Sequence, residues 1–369
     1  MKEIQRFKHE FEFRKKVDKM KNNRELIVNW YNQNKRNLPW RLDKEPYHVW
    51  ISEIMLQQTR IEAVIDYYHR FIKEIPDIKT LANIEEDKLL KLWEGLGYYN
   101  RAKNLKKAAI EIMTHHKGNF PTTYVEILKL PGIGEYTASA ISSICFNEPQ
   151  VTIDGNVLRV YTRFYNDKRN VDDPKTKKAI HDELIQFIPK ESGSFNQGLM
   201  EIGETICLPN GIPKCEICPL KNDCLAKSQN TYLKIPVKAK KKEKKEEDYT
   251  VLLYQYQNKY AIYKRTKETL LNNLWSFPII NKNLTKIQLK DYLKEQNIAF
   301  SSISKGPTNT HIFTHKKWNM ISYIIELKNV ENMENYKWVT KKDLEHTYAI
   351  PTAFQPFREV ITKKEEKQK

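Results

Sequence analysis

Glycine is scarce in this chain, 11 of 369 residues, and cysteine scarcer still at five. The glycine shortage accompanies an abundance of Lys, Ile and Asn and reads as coding bias without functional content. No run of eighteen apolar residues occurs, so no membrane-spanning helix is expected. The first residues, MKEIQRFKHEFEFRKKVDKMK, are charged throughout and have no apolar core, so a secretory signal is not expected either. Acidic residues fall short of basic ones, 46 against 63, which leaves a net charge of +17. A surplus of that size points to a polyanionic partner, and without a membrane segment the reading is a cytoplasmic polyanion binder. Hydrophobic residues make up 40% of the chain, enough for real cores, and the length suggests two or three domains.

Before residue 230 no convincing strand alternation is found. Apolar residues recur instead at helical spacing, as in Tyr47, Trp50, Ile51, Ile54 and Met55, and again in Ala102, Leu105, Ala109, Ile112 and Met113. After a charged N-terminal extension over 1–23, residues 24–230 therefore read as one all-α domain. A basic linker follows over 231–247, ending in the charge run Lys238–Glu247. Beyond it Tyr249–Gln255, Tyr260–Arg265 and Lys317–Ile325 read as strands and Gln288–Gln296 as a helix, which makes 248–361 an α+β domain. Residues 362–369 form a charged tail. The fold class is mainly α, with a second, α+β domain.

Four motifs carry chemistry. In Leu130-Pro-Gly-Ile-Gly-Glu-Tyr-Thr-Ala138, Gly132 and Gly134 bracket one apolar residue between two helices. Such a hairpin can point backbone N–H groups at a phosphate, and glycine lets a DNA backbone come close. Cys207, Cys215, Cys218 and Cys224 follow the spacing C-x7-C-x2-C-x5-C. Thiolates so spaced hold an iron–sulfur cluster or zinc; the single C-x2-C knuckle speaks against a zinc ribbon, which pairs two. The fifth, Cys145, lies on an apolar helix face and reads as packing. In Val151-Thr-Ile-Asp-Gly-Asn-Val157, Asp154 precedes an apolar helix. It can serve as N-cap and remain ionised there, the charge an oxocarbenium-like transition state needs. In Trp50–Thr59, Glu53 sits within an amphipathic helix. On a surface it would be ordinary; among apolar neighbours its pKa rises and it becomes a candidate general acid. Gln57 and Gln58 beside it offer uncharged donors and acceptors for base edges.

Together with Leu38-Pro-Trp-Arg41, Pro46-Tyr47, Gly95-Leu-Gly-Tyr-Tyr99 and Phe195-Asn-Gln197, these motifs resemble the MutY family of adenine-specific DNA glycosylases, helix–hairpin–helix enzymes with an iron–sulfur loop. The family loop is C-x6-C-x2-C-x5-C; here one extra residue lies between Cys207 and Cys215, in a segment whose Asn-Gly and two prolines can bulge. The resemblance implies one [4Fe–4S] cluster per chain on the four cysteines. It implies a monomer bound to double-stranded DNA at adenine:8-oxoguanine or adenine:guanine mispairs, hence nucleoid-associated. The adenine would be flipped out and its N-glycosidic bond hydrolysed. Carried over, Glu53 protonates the adenine and then activates water, Asp154 stabilises the sugar cation, and Tyr136 and Asn156 position them. Trp40 and Gln197 would line the base pocket, with Arg36, Arg41, Leu56 and Gln57 also binding substrate. Gln58 and Tyr98 would fill or wedge the stack opposite.

Rival functions within this fold are set aside by what is missing. Bifunctional relatives place a Schiff-base Lys where this chain has Tyr136, so little or no lyase activity is expected. Thymine glycosylases typically lack a second domain and the Ser-Glu-x-Met-Leu-Gln-Gln-Thr run. The second domain carries Asn272-Asn-Leu-Trp-Ser-Phe-Pro278 and is similar to Nudix hydrolases, yet Leu284–Phe300 holds no R-E-x-x-E-E run to bind metal. It therefore reads a base and does not hydrolyse. The family's F-S-H reading loop is matched by Phe313-Thr314-His315. A non-catalytic DNA-binding scaffold is disfavoured by the intact Glu53 and Asp154, and a zinc-stabilised transcription factor falls if the purified protein is yellow-brown.

Overall fold

The computed structural model describes residues 19–240, 243–266 and 270–363. The extension up to residue 18 and the tail from 364 lie outside the described residues. The chain divides into two compact units: residues up to Asn83 with Asn104–Lys240, and Ile84–Lys103 with the residues from 243 onward. Helix α1 spans residues 19–34. In chain order there follow α2 Pro46–Leu56, α3 Ile61–Glu74, α4 Ile78–Asn83, α5 Glu86–Leu92, α6 Asn100–His115, α7 Tyr124–Leu128, α8 Glu135–Phe146, α9 Gly155–Tyr165, α10 Pro174–Leu184, α11 Ser192–Thr205 and α12 Leu225–Ser228.

The first unit is helical, as its 3.6-residue periodicity predicts. Caps fix where its helices begin. The Thr123 hydroxyl accepts from Glu126 N at 3.3 Å, and the Asp154 carboxylate accepts from Val157 N at 2.7 Å. Asn147 and Asn166, both left-handed, end α8 and α9. Helix α2 departs from the amphipathic reading. Tyr47 and every residue from Val49 to Met55 are buried, so it is a core helix covered all round. Helix α11 is central: at Gly203 an added Cβ would come within 2.6 Å of Asn156 Cβ. That absence of a side chain lets α11 press against the start of α9.

The second unit is built on an eight-stranded sheet: β1 Lys245–Tyr256, β2 Lys259–Lys264, β3 Trp275–Ser276, β4 Ile279–Ile280, β5 Phe300–Lys305, β6 Asn309–Ile312, β7 Lys316–Leu327 and β8 Lys337–Val339. Besides α5, its helices are α13 Lys286–Glu295, α14 Lys341–His346 and α15 Gln355–Thr362. The sheet runs β3-β2-β1-β7-β5, with β1 and β7 parallel from Lys245↔Lys316 to Gln255↔Glu326. Successive residues of β1 feed opposite faces: Tyr249, Val251 and Leu253 enter one core, Leu252 and Tyr254 the other. Both faces are covered, which is why β1 reads as a continuous apolar run. The linker expected to extend to 247 gives way to β1 at Lys245, because Lys316 and Lys317 on β7 pair with Glu247 and Glu246. A charge run that looked solvated is thus half of a cross-strand ladder. Helix α13 falls within Leu284–Phe300, the segment whose sequence holds no R-E-x-x-E-E run.

Candidate active site

In the first unit a cavity of about 790 Å³ opens between the end of α2, the hairpin helix α8, the cap of α9 and one face of α11. Glu53, Tyr136, Asp154 and Asn156 all line it, as do Trp40, Arg36, Arg41, Leu56, Gln57, Gln58 and Gln197. Eleven residues drawn from positions 36 to 197 thus share one hollow.

Glu53 is 8% exposed on a helix buried on every side. Burial raises its pKa to about 7. The Tyr136 hydroxyl pulls in the opposite direction and the charge of Asp154 adds to the rise. Tyr136 O–H also lies 3.3 Å from Met200 Sδ. Burial holds this phenol well above its ordinary pKa, so it is a donor at any working pH. Asp154 accepts from Val157 N through Oδ1 at 2.7 Å and from Asn156 Nδ2 through Oδ2 at 2.8 Å. Its helix-cap position was expected to favour the ionised form. Burial outweighs those two hydrogen bonds, and the net direction is upward.

The supporting residues are more numerous than the sequence reading anticipated. Arg159 donates to Asn156 Oδ1 at 2.7 Å and to the carbonyls of Gly203 and Cys207 at 2.8 and 2.7 Å. It orients the Asn156 amide so that its NH2 faces Asp154. Asn196 donates to Ser143 Oγ and Gln150 O and accepts from Thr152 N, which fixes the strand-like approach to Asp154. Glu201, 1% exposed at its side chain, accepts from Arg36 Nε at 2.5 Å and Arg41 Nη2 at 2.8 Å. Burial would raise its pKa, but the two arginines prevail and lower it. Arg36 also pairs with Glu204. Both arginines were expected to bind substrate; each lines the cavity and is paired with the buried Glu201 behind it. One signal was present: Gln197, Met200, Glu201 and Glu204 are spaced i, i+3, i+4 and i+7, one face of a helix.

Trp40 is 6% exposed, its ring set edge-on to Tyr68 at 5.3 Å. Gln57 Nε2 donates to Thr137 Oγ1 at 3.3 Å and Gln197 Nε2 to Gly193 O at 3.3 Å. Gln58 is exposed in the left-handed region at φ 60°. Gly132 adopts φ +77°, and an added Cβ would meet Asn104 Cβ at 2.4 Å; Gly134 is the N-cap of α8 with open space before it.

Cys207, Cys215, Cys218 and Cys224 line a single small cavity with Arg163, Lys221 and Lys227. Arg163 Nη1 lies 3.3 Å from Cys207 Sγ. Among the described residues no three His, Cys, Asp or Glu side chains converge closely enough for a single metal ion. Four thiols around a hollow suit a polynuclear cluster better than one zinc ion with bonds of about 2.3 Å. Cys145 is half-buried, and burial raises its thiol to about 12, in keeping with an inert packing role.

The remaining predicted residues lie in the second unit. Tyr98, 52% exposed, meets Thr314 with its hydroxyl 3.0 Å from Oγ1. Phe313 packs against His311 and Trp318, with ring centroids 4.5 and 4.8 Å away. It anchors the loop from beneath, and Thr314 and His315 are exposed above it.

Residues 51–189 match the HhH-GPD superfamily of base excision DNA repair proteins, and residues 249–360 match the NUDIX domain. An adenine DNA glycosylase of Buchnera aphidicola subsp. Schizaphis graminum is 37% identical over 345 residues, covering 91% of this chain and 98% of its own. The chain belongs to the adenine DNA glycosylase family. Among solved structures, a thermostable thymine-DNA glycosylase is 28% identical with a TM-score of 0.52, spanning 57% of this chain and 98% of its own. Endonuclease III trapped on DNA shares the fold at 22% identity and a TM-score of 0.50, over 58% of this chain and 98% of its own. Neither of these two reaches much beyond the length of the first unit, and the family's second domain is matched separately. No helix among the described residues is long and apolar enough to cross a membrane.

Proposed function

We propose that this glycosylase removes adenine mispaired with 8-oxoguanine or guanine in double-stranded DNA, with Glu53 and Asp154 as its catalytic pair. The observation that carries this reading is a buried carboxyl with a pKa near neutrality facing the same cavity as a hydrogen-bonded second carboxylate. Two carboxyl groups pushed to different tasks by their surroundings are the pattern of glycoside hydrolysis. A flipped adenine enters between Trp40 and Gln197. Protonated Glu53 donates its proton to a ring nitrogen, which makes the base a neutral leaving group as the C1′–N bond breaks. The positive charge left on the sugar is stabilised by the Asp154 carboxylate, which Val157 N and Asn156 Nδ2 hold in place. Glu53, now a carboxylate, takes a proton from water as the water attacks C1′. Tyr136 and Asn156 keep the two carboxyls oriented. Tyr136 has no amine with which to form a Schiff base, so strand cleavage is not part of the reaction.

The four cysteines would hold one [4Fe–4S] cluster, which supplies a cross-link for the loop and takes no part in bond breaking. Gly132 and Gly134 offer backbone N–H groups to phosphate. The first unit would be the glycosylase, and the second, residues 84–103 with the chain from 243 onward, would read the opposite base through Thr314 with Tyr98. The chain acts as a monomer at the nucleoid. Single-turnover excision on an adenine:8-oxoguanine duplex tests the reading directly. Release of free adenine by the wild type, and its loss in Asp154→Asn with duplex binding retained, is the expected result. Equal excision by Asp154→Asn would refute the catalytic pair.

A further inference from the structure

Glu204 is a third carboxylate on the cavity wall, one turn of α11 beyond the buried Glu201. Its side chain is 31% exposed, so it faces the hollow and not the core. Two contacts tie it to the machinery. Its Oε2 pairs with Arg36 Nη2, the same nitrogen that donates to Glu201 at 3.1 Å. Its Oε1 lies 3.5 Å from Asn156 Nδ2, the amide that donates to Asp154 at 2.8 Å. One NH2 group is thus shared between the catalytic Asp154 and Glu204, while Arg159 holds the other end of the same amide.

We infer that Glu204 is a positioning residue for excision, fixing Asn156 and Arg36 around the catalytic pair. This rests on the proposed reading of Glu53 and Asp154. The groups facing Glu204 are Arg36 from before Trp40, Glu201 on its own helix, Asp154 and Arg159 at the start of α9, and Glu53 and Tyr136 on the cavity wall. Arg36 and Arg41 bring two positive charges against the single negative charge of Glu201, while Arg159 is turned toward the carbonyls of Cys207 and Gly203. An ionised Glu204 supplies the second negative charge against that arginine pair, beside Glu53 and Asp154. That charge opposes ionisation of Glu53 and keeps the acid protonated to higher pH. It also holds Arg36 away from the acid, where its positive charge would act in the opposite sense.

The test is the pH profile of single-turnover excision by the full chain on an adenine:8-oxoguanine duplex, for wild type, Glu204→Gln and Glu204→Asp. Wild-type excision falls as pH rises through the ionisation of Glu53. With Glu204→Gln that alkaline limb moves to lower pH by about half a unit or more, so excision at pH 8 drops roughly threefold or further. At pH 6 the same variant stays within about twofold of wild type, and Glu204→Asp, which keeps the charge, restores the limb. A superimposable profile, or a loss equal at every pH with the limb unmoved, overturns the inference and leaves Glu204 a packing residue. Wild-type protein unable to release adenine would instead refute the catalytic reading beneath it.

Discussion

A carboxyl with a pKa of about 7 is half protonated near neutrality, and Glu53 owes that value to burial within α2. The same burial opposes folding once the group must ionise. The raised pKa means that stability is unaffected below the ordinary carboxylate value and is lost as pH climbs from there through about 7. Above that the cost levels off, on the order of 3 kcal/mol. Glu53→Gln removes it. The variant should therefore melt higher than wild type at pH 8, with the advantage vanishing near pH 4.5, while releasing no adenine at either pH. Thermal melts of the two proteins at both pH values check this; an advantage independent of pH would mean that repacking, not ionisation, is responsible. Glu53 and Asp154 were each singled out by their own motifs, the family resemblance implied that they act together, and both line one cavity. The burial was not legible in the sequence, because Val49, Ile54 and Met55 give α2 an amphipathic look while the cover over its other face comes from elements distant in sequence, α8 among them.

At the scale of elements, the hairpin between α7 and α8 combines two glycines with different demands. Gly132 sits at φ +77° with Asn104 against its missing Cβ, whereas Gly134 has an ordinary φ and open space. Gly132→Ala should destabilise the protein by about 1–2 kcal/mol from backbone conformation, and more from the clash. Gly134→Ala should leave the denaturation midpoint unchanged yet weaken duplex binding, because the added methyl stands where a phosphate would approach. Binding isotherms beside urea titrations separate the two; full affinity in Gly134→Ala would remove the hairpin from the DNA interface. The cysteine loop makes a parallel case. Spacing singled out the four cysteines, which line one cavity, and the family resemblance implied their cluster; Cys218→Ser should abolish the visible absorbance of the purified protein. An unchanged spectrum would exclude Cys218 as a ligand. Less legible was α11: Glu201 and Glu204 stand where helical spacing from Gln197 puts them, but only the fold shows that Arg36, 165 residues away from Glu201, arrives opposite.

Over the whole molecule, composition marks the change from helical to sheet-bearing chain, and residue 245 begins β1 close to where the charge run suggested a boundary. Composition could not show that residues 84–103 pack with the second unit. Glu94 accepts from Ile350 N and Arg358 Nη1, both at 2.8 Å, and Asp87 accepts from Trp275 Nε1 at 3.3 Å. These partners are separated by 188 to 264 residues, beyond the reach of any local pattern. Deleting the second domain would strip those partners from residues 84–103, so a truncation cannot isolate base reading. Point variants can. Tyr98 and Thr314, whose hydroxyls are 3.0 Å apart, place a ring and a hydrogen-bonding group together on an exposed surface. The Thr314 hydroxyl can accept from the N7–H that only the oxidised guanine carries, or donate to its new oxygen. Thr314→Val loses that bond and the Tyr98 tether, whereas Tyr98→Phe keeps the ring and loses the tether alone. One hydrogen bond is worth about 0.5–1.5 kcal/mol, roughly two- to tenfold. Excision rates on adenine:8-oxoguanine relative to adenine:guanine should therefore fall several-fold in Thr314→Val and less in Tyr98→Phe, with the adenine:guanine rate itself little changed. Equal ratios in all three proteins would place recognition of the opposite base elsewhere in the chain.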